Sequence, residues 1–176
     1  MDYIHHYCSP LGSITEASDG TNLTGLWFDG QKYYAASIAE NHSVKNLPVF
    51  DMTDRWLNQY FSGEIPCFTP PIRLKGTDFQ MLVWEILMTI PYGQTKTYSE
   101  ISMLVAKSKG LSHMSAQAVG GAVSHNAVSL IVPCHRVIGA NGSLTGYAGG
   151  LERKAWLLQM EKEGLGARKT ISMELL

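Results

Sequence analysis

Two consecutive prolines, Pro70 and Pro71, sit inside CFTPPIRLKG, the stretch from Cys67 to Gly76. Neither can donate a backbone hydrogen bond, so neither a helix nor a central strand runs through this point. It is the best linker candidate, and the patterns on its two sides differ. Before it, hydrophobic alternation is short and is broken at Asp19-Gly20 and Asp29-Gly30, two turn signals that predict an antiparallel meander. TDRWLNQYFSG reads as a helix there, with Thr53 as its cap, Leu57, Tyr60 and Phe61 on one face, and Gly63 at its end. After the prolines, apolar residues recur at helical spacing. Phe79, Leu82, Val83, Ile86, Leu87 and Ile90 share a face, Thr77 and Gln80 form a capping-box pattern, and Pro91 stops the run. Thr97 and Glu100 repeat the box at the start of TYSEISMLVA. SAQAVGGAVSHN begins at Ser115, and two short helices joined by a glycine-bearing link fit a helix-turn-helix. A last helix is expected from Leu151 to Glu163, ending at Gly164. Trp27, Trp56, Trp84 and Trp156 are assigned to cores.

The expected fold class is α+β. Residues 1–75 form a small antiparallel sheet with a helix, and residues 76–176 form a mostly helical, winged-helix-like domain containing the helix-turn-helix. A chain of 176 residues, 45% hydrophobic and 16% charged, can bury such cores. The net charge of −1 excludes a polycation. Residues 1–75 carry five Lys/Arg against eight Asp/Glu, and residues 76–176 carry nine against seven. That mild asymmetry permits a nucleic-acid face on the second half without demanding one. Three widely spaced cysteines, Cys8, Cys67 and Cys134, argue against a disulfide scaffold. MDYIHHYCSP lacks the apolar core of a signal peptide, and no apolar run approaches the ~20 residues that cross a bilayer. A reducing cytoplasm and no membrane are therefore expected. No CxxC and no histidine pair at ligand spacing is present, so no metal is expected, and His5, His6 and Cys8 read as surface.

One cysteine stands apart. IVPCHRVIG, Ile131 to Gly139, places His135 and Arg136 directly after Cys134, whereas Cys67 in EIPCFTP has no charged residue next to it. A nucleophilic sulfur must be a thiolate, so it needs a base or a cation, and both neighbours are candidates. Adjacent residues on a strand point to opposite faces, so contact between Cys134 and His135 requires a turn, which Pro133 helps to fix. Glu152, Glu161 and Glu163 on the last helix can supply a carboxylate to orient the imidazole. Against this stands the ordinary role of a free cysteine as a small buried apolar residue, and the preceding LIV fits a buried strand. The small residues Ala116, Ala118, Gly120, Gly121 and Ala122 fit either tight helix packing or close approach to a nucleic-acid backbone. Residue types leave both open.

IVPCHRVIG followed by GSLTGYAGGLERKAWLLQMEKEG, with QAVGGAV and Asn126 upstream, closely resembles the O6-alkylguanine-DNA alkyltransferases, also called methylated-DNA–protein-cysteine methyltransferases. The resemblance runs from about Lys75 to Gly164 and is closest to the single bacterial-type form. It implies DNA repair by direct, stoichiometric and irreversible transfer of an alkyl group to Cys134, after the nucleotide is flipped out of the duplex. The donor is O6-alkylguanine, with O4-alkylthymine as a second substrate. No cofactor is implied. The partner is double-stranded DNA bound through its minor groove by a monomer.

The resemblance also implies roles. Cys134 is the acceptor, its sulfur held ionised. His135 deprotonates it through a water, and Glu161 orients His135. Asn126 bonds around the turn joining the recognition helix to the active-site strand. Tyr98 helps to rotate the nucleotide and to protonate the leaving base. Tyr147 lines the guanine pocket, with backbone groups of Cys134, Val137 and Ala148 near the base edge and Lys154 in an outer shell. Ser115, Ala116, Gln117, Ala118 and Gly120 belong to the DNA-facing helix. Two positions depart from the family pattern: Gln117 replaces an arginine common in members, and Asn126-Ala127 replaces a frequent Asn-Pro. Two other functions are weighed. A non-enzymatic binder of alkyl lesions lacks the nucleophilic cysteine that this chain has, and a cysteine hydrolase usually takes its nucleophile and base from separate segments.

Overall fold

The computed structural model describes residues 2–38 and 40–174, with side-chain surroundings through Leu165. Strands β1 (Asp2–Ser9), β2 (Gly12–Ser18) and β3 (Leu23–Phe28) form the expected antiparallel meander. Strand β4 (His42–Val44) adds to β1 in parallel, so the sheet is mixed, in the order β3-β2-β1-β4. Asp19-Gly20 makes the β2–β3 turn: Asp19 Oδ1 accepts from the amides of Thr21 and Asn22, and Gly20 takes a φ of 106°. Asp29-Gly30 makes no second hairpin and opens a run of turns that precedes β4.

Helix α1 (Pro48–Phe61) begins five residues earlier than the sequence suggests. Pro48 is the reason, because its fixed φ suits the first helical turn. Thr53 is not a cap; it is buried within the helix and donates to the Val49 carbonyl at 2.8 Å. Beyond the prolines come α2 (Asp78–Met88), β5 (Lys96–Thr97), α3 (Tyr98–Ser108), α4 (Ala116–Ser124), β6 (Val137–Ile138) and α5 (Leu151–Glu174). Both capping boxes are complete, Thr77 with Gln80 and Thr97 with Glu100. Helix α3, residues 109–115 and α4 follow the helix-turn-helix order.

Gly164 does not end α5. A Cβ at that position would lie 2.7 Å from the Gly63 carbonyl and 2.9 Å from the Tyr92 hydroxyl. The glycine is a packing residue that lets α5 cross the turn after α1. Trp27, Trp56 and Trp84 are buried, whereas Trp156 is 39% exposed on α5 and is not a core residue.

The outer edge of β3 positions the rest. Leu23 N donates to Pro71 O at 2.7 Å and Arg73 N to Leu23 O at 2.9 Å. Further along, Leu26 N donates to Ala127 O at 2.8 Å and Ser129 N to Leu26 O at 3.0 Å. The proline stretch and the segment leaving α4 thus lie on one strand, which also covers an otherwise unpaired edge. A hydrophobic cluster runs unbroken from Leu26, Leu57 and Tyr60 through Trp84 and Val119 to Val132 and Leu157.

Candidate active site

Asn126 follows α4 and organises the segment that leads to Cys134. Its Oδ1 accepts from Val128 N at 2.9 Å, and its Nδ2 donates to Val132 O at 2.8 Å and to Cys134 Sγ at 3.1 Å. One buried amide therefore ties residues 126 to 134 into a closed turn, inside which Leu130 takes a φ of 70°. Cys134 is not on a strand. Residues Cys134–Arg136 form one 3-10 turn that runs into β6. That turn removes the strand alternation that would separate the thiol from the imidazole.

His135 Nε2 lies 2.7 Å from Glu161 Oε1 on α5, both groups fully buried. Arg136 does not partner the thiol. Its Nε and Nη2 grip the Glu161 carboxylate at 2.9 to 3.2 Å, and its Nη1 donates to Ile90 O at 2.7 Å. Gly93 N donates to Glu161 Oε2 at 2.9 Å, and the Tyr60 hydroxyl from α1 donates to Glu161 Oε1 at 2.7 Å. Nothing in the sequence near Tyr60 distinguishes it from a core aromatic, because its partners lie 75 and 101 positions away.

Charge states follow from burial. Burial alone would raise the Glu161 carboxyl, but hydrogen bonds from His135 and Arg136 and the Arg136 charge outweigh it and hold the group well below the usual carboxylate range. Burial pushes the His135 imidazole down, so it is neutral. A neutral imidazole beside an ionised carboxylate must donate Nε2–H, which leaves a lone pair on Nδ1. Nδ1 has no hydrogen-bond partner within the described protein. Burial also pushes the Cys134 thiol up, and the opposing pull of Asn126 and Lys154 does not reverse this. The expected ionised sulfur is therefore corrected: at 4% exposure, Cys134 rests as a thiol and needs a base.

Lys154 is fully buried on α5 and donates to the carbonyls of Val137 and Thr145. Burial pushes its ammonium down to about 8. Tyr98 opens α3, and its hydroxyl donates to Thr145 O at 3.1 Å and Gly146 O at 3.3 Å. Burial pushes that phenol up to about 12. Tyr147 is buried, and its hydroxyl has no partner among the described residues. The Val137 carbonyl is engaged by Lys154, and the Ala148 carbonyl accepts from Lys32 N at 3.0 Å.

Ser115, Ala116, Gln117 and Ala118 are exposed, and Gly120 is half-buried. Packing does not require the two glycines. A Cβ at Gly121 would meet nothing within 4 Å, and one at Gly120 would touch the Tyr98 ring at an ordinary 3.8 Å. Among the described residues no cluster is placed to hold a metal ion, and no helix is long and apolar enough to cross a membrane.

Residues 3–74 match the family model described as 6-O-methylguanine DNA methyltransferase, ribonuclease-like domain, and residues 78–163 match its DNA binding domain. A methylated-DNA–protein-cysteine methyltransferase of Haemophilus influenzae is 40% identical over 161 residues, covering 91% of this chain and 86% of the relative. One from Mycobacterium tuberculosis is 43% identical over 163 residues, covering 93% and 94%. The chain belongs to the 6-O-methylguanine DNA methyltransferase family.

Like this member of the family, a crystal structure of Mycobacterium tuberculosis OGT in complex with DNA has the same α+β architecture. It superposes with a TM-score of 0.79 at 41% identity, covering 92% of this chain and 94% of that one.

Proposed function

We propose that this methyltransferase-family chain repairs DNA by moving an alkyl group, methyl above all, from O6 of guanine to Cys134, once per molecule. The observation that carries the reading is the buried relay, with Cys134 held by Asn126 at 3.1 Å and His135 held by Glu161 at 2.7 Å in its Nε2–H form. His135 Nδ1 takes the thiol proton through a water, and Glu161 stabilises the imidazolium. The thiolate attacks the alkyl carbon, the S–C bond forms as the C–O6 bond breaks, and the electron pair leaves with guanine. The Tyr98 hydroxyl, kept protonated by its burial, supports protonation of the base. In the net reaction the thiol's proton replaces the alkyl group. O4-alkylthymine presents the same ether carbon. The resulting thioether is inert to water, and Cys8 and Cys67 are exposed while Cys134 is buried, so neither is positioned as a resolving thiol.

The partner is double-stranded DNA, met in its minor groove by α4, with Ser115, Ala116, Gln117 and Ala118 on the exposed face and Gly120 allowing close approach. Cys134 is 4% exposed, so a flipped base reaches it only when the groups over the sulfur shift outward. Lys154 ties Val137 and Thr145 to α5. One chain holds every group of the relay, which supports a monomer as the acting unit; the compartment in this reading is the cytoplasm.

Intact-mass measurement after incubation with a duplex containing O6-methylguanine should show a gain of one CH2, located on Cys134. Cys134→Ala should abolish the gain while DNA affinity persists. Lesion binding by the wild type with no mass gain would overturn the reading in favour of a non-enzymatic lesion binder.

A further inference from the structure

We propose that Tyr60 is a positioning residue for the transfer step: its hydroxyl holds the Glu161 carboxylate in the orientation that fixes His135 as the Nε2–H tautomer. This rests on the alkyl-transfer reading above. Tyr60 has no solvent exposure, and its oxygen lies 2.7 Å from Glu161 Oε1 and 3.2 Å from His135 Nε2.

Packing accounts for the ring and not for the hydroxyl. The ring stacks on Trp56 at 5.1 Å and meets Phe61 and Tyr92 edge-on, contacts that phenylalanine would keep. The hydroxyl completes the set of donors around Glu161. Oε2 is held by Gly93 N and Arg136 Nε, and Oε1 receives His135, Arg136 Nη2 and Tyr60. The arginine and the histidine both come from the Cys134 turn. Tyr60 approaches from α1, so it anchors Oε1 independently of the segment that reacts.

Donation from Tyr60 also draws off part of the carboxylate's charge. It therefore sets how strongly Glu161 attracts a proton on His135, and at which pH His135 stops serving as a base. Burial, with the Glu161 charge adding, holds the phenol protonated, so it acts on Glu161 as a donor throughout. Residues 1–75 then take part in the reaction through one hydroxyl.

Single-turnover transfer from an O6-methylguanine duplex, followed across pH and alongside DNA affinity, tests this. Tyr60→Phe should slow transfer about tenfold at saturating DNA, leave DNA affinity unchanged, and move the acid limb of the pH profile upward, because a less compensated Glu161 stabilises the imidazolium. Placing 3-fluorotyrosine at position 60 keeps the shape with a stronger donor, and should move the same limb downward. Wild-type rates and profiles in both variants would overturn the proposal. So would slowed transfer with an unmoved acid limb, which marks a structural role. If Tyr60→Phe does not fold, the fluorinated protein decides alone. Failure of the alkyl-transfer reading looks different, since the wild type would then leave Cys134 unmodified.

Discussion

Asn126 carries more than any other single side chain near the sulfur. It satisfies Val128 N and Val132 O and also touches Sγ, so it joins turn geometry to thiol chemistry. Asn126→Ala leaves the buried Val128 N without its acceptor, while Val132 O keeps the Cys134 amide, and should lower stability by about 1–3 kcal/mol. It also removes a hydrogen bond that pulls the thiol pKa down against burial. The pH at which Cys134 reacts with iodoacetamide should therefore rise, and an unchanged thiol titration would refute the assigned contact. Lys154 shows the opposite limit of sequence reading. The resemblance gives Lys154 an outer-shell place, but only the fold shows it under Val137 and Thr145 with no exposure.

At the scale of elements, α4 separates stability from binding. Gly121 is exposed, and a Cβ there meets nothing, so Gly121→Ala should raise helix stability by roughly 0.5–1 kcal/mol in thermal unfolding. If α4 lies in the groove, the same methyl should weaken binding to duplex DNA. Binding as tight as the wild type's would place the DNA face elsewhere. Gln117, also exposed, is an uncharged residue at the same surface. Gln117→Arg should tighten DNA binding and steepen the fall of affinity with salt, since another phosphate contact releases another counterion. A flat salt slope would count against a groove-facing position 117. Helix α5 is longer than its sequence suggests, because Gly164 answers a close approach to Gly63 and not a stop.

Across the whole molecule, one buried acid opposes the fold. Glu16 on β2 has no exposure, and no described group donates a hydrogen bond to either of its oxygens. Burial pushes its carboxyl from an ordinary 4.5 up to about 9, and the Asp54 charge from α1 adds to the push. The group is thus protonated when folded and ionised when unfolded over that interval. Its contribution is fully present below about 4.5 and is lost as pH rises toward about 9, by up to ~1.4 kcal/mol per pH unit. Glu16→Gln should therefore raise the melting temperature at pH 8 far more than at pH 5. Equal gains at both would show that Glu16 does not titrate on unfolding.

Local chemistry is legible in a one-dimensional string when its partners are neighbours in that string. The capping boxes at Thr77 and Thr97, the Asp19-Gly20 turn and the Cys134-His135 pair all lie within a few residues, so the sequence alone determined them, and with them the fold class and the family. The helix start at Pro48, the crossing at Gly164 and the engagement of Arg136 and Tyr60 with Glu161 depend on segments far apart in the chain. Only the tertiary structure decided those. It also decided the resting state of the sulfur, because ionisation answers to the dielectric around a group, and burial is a property of the folded whole.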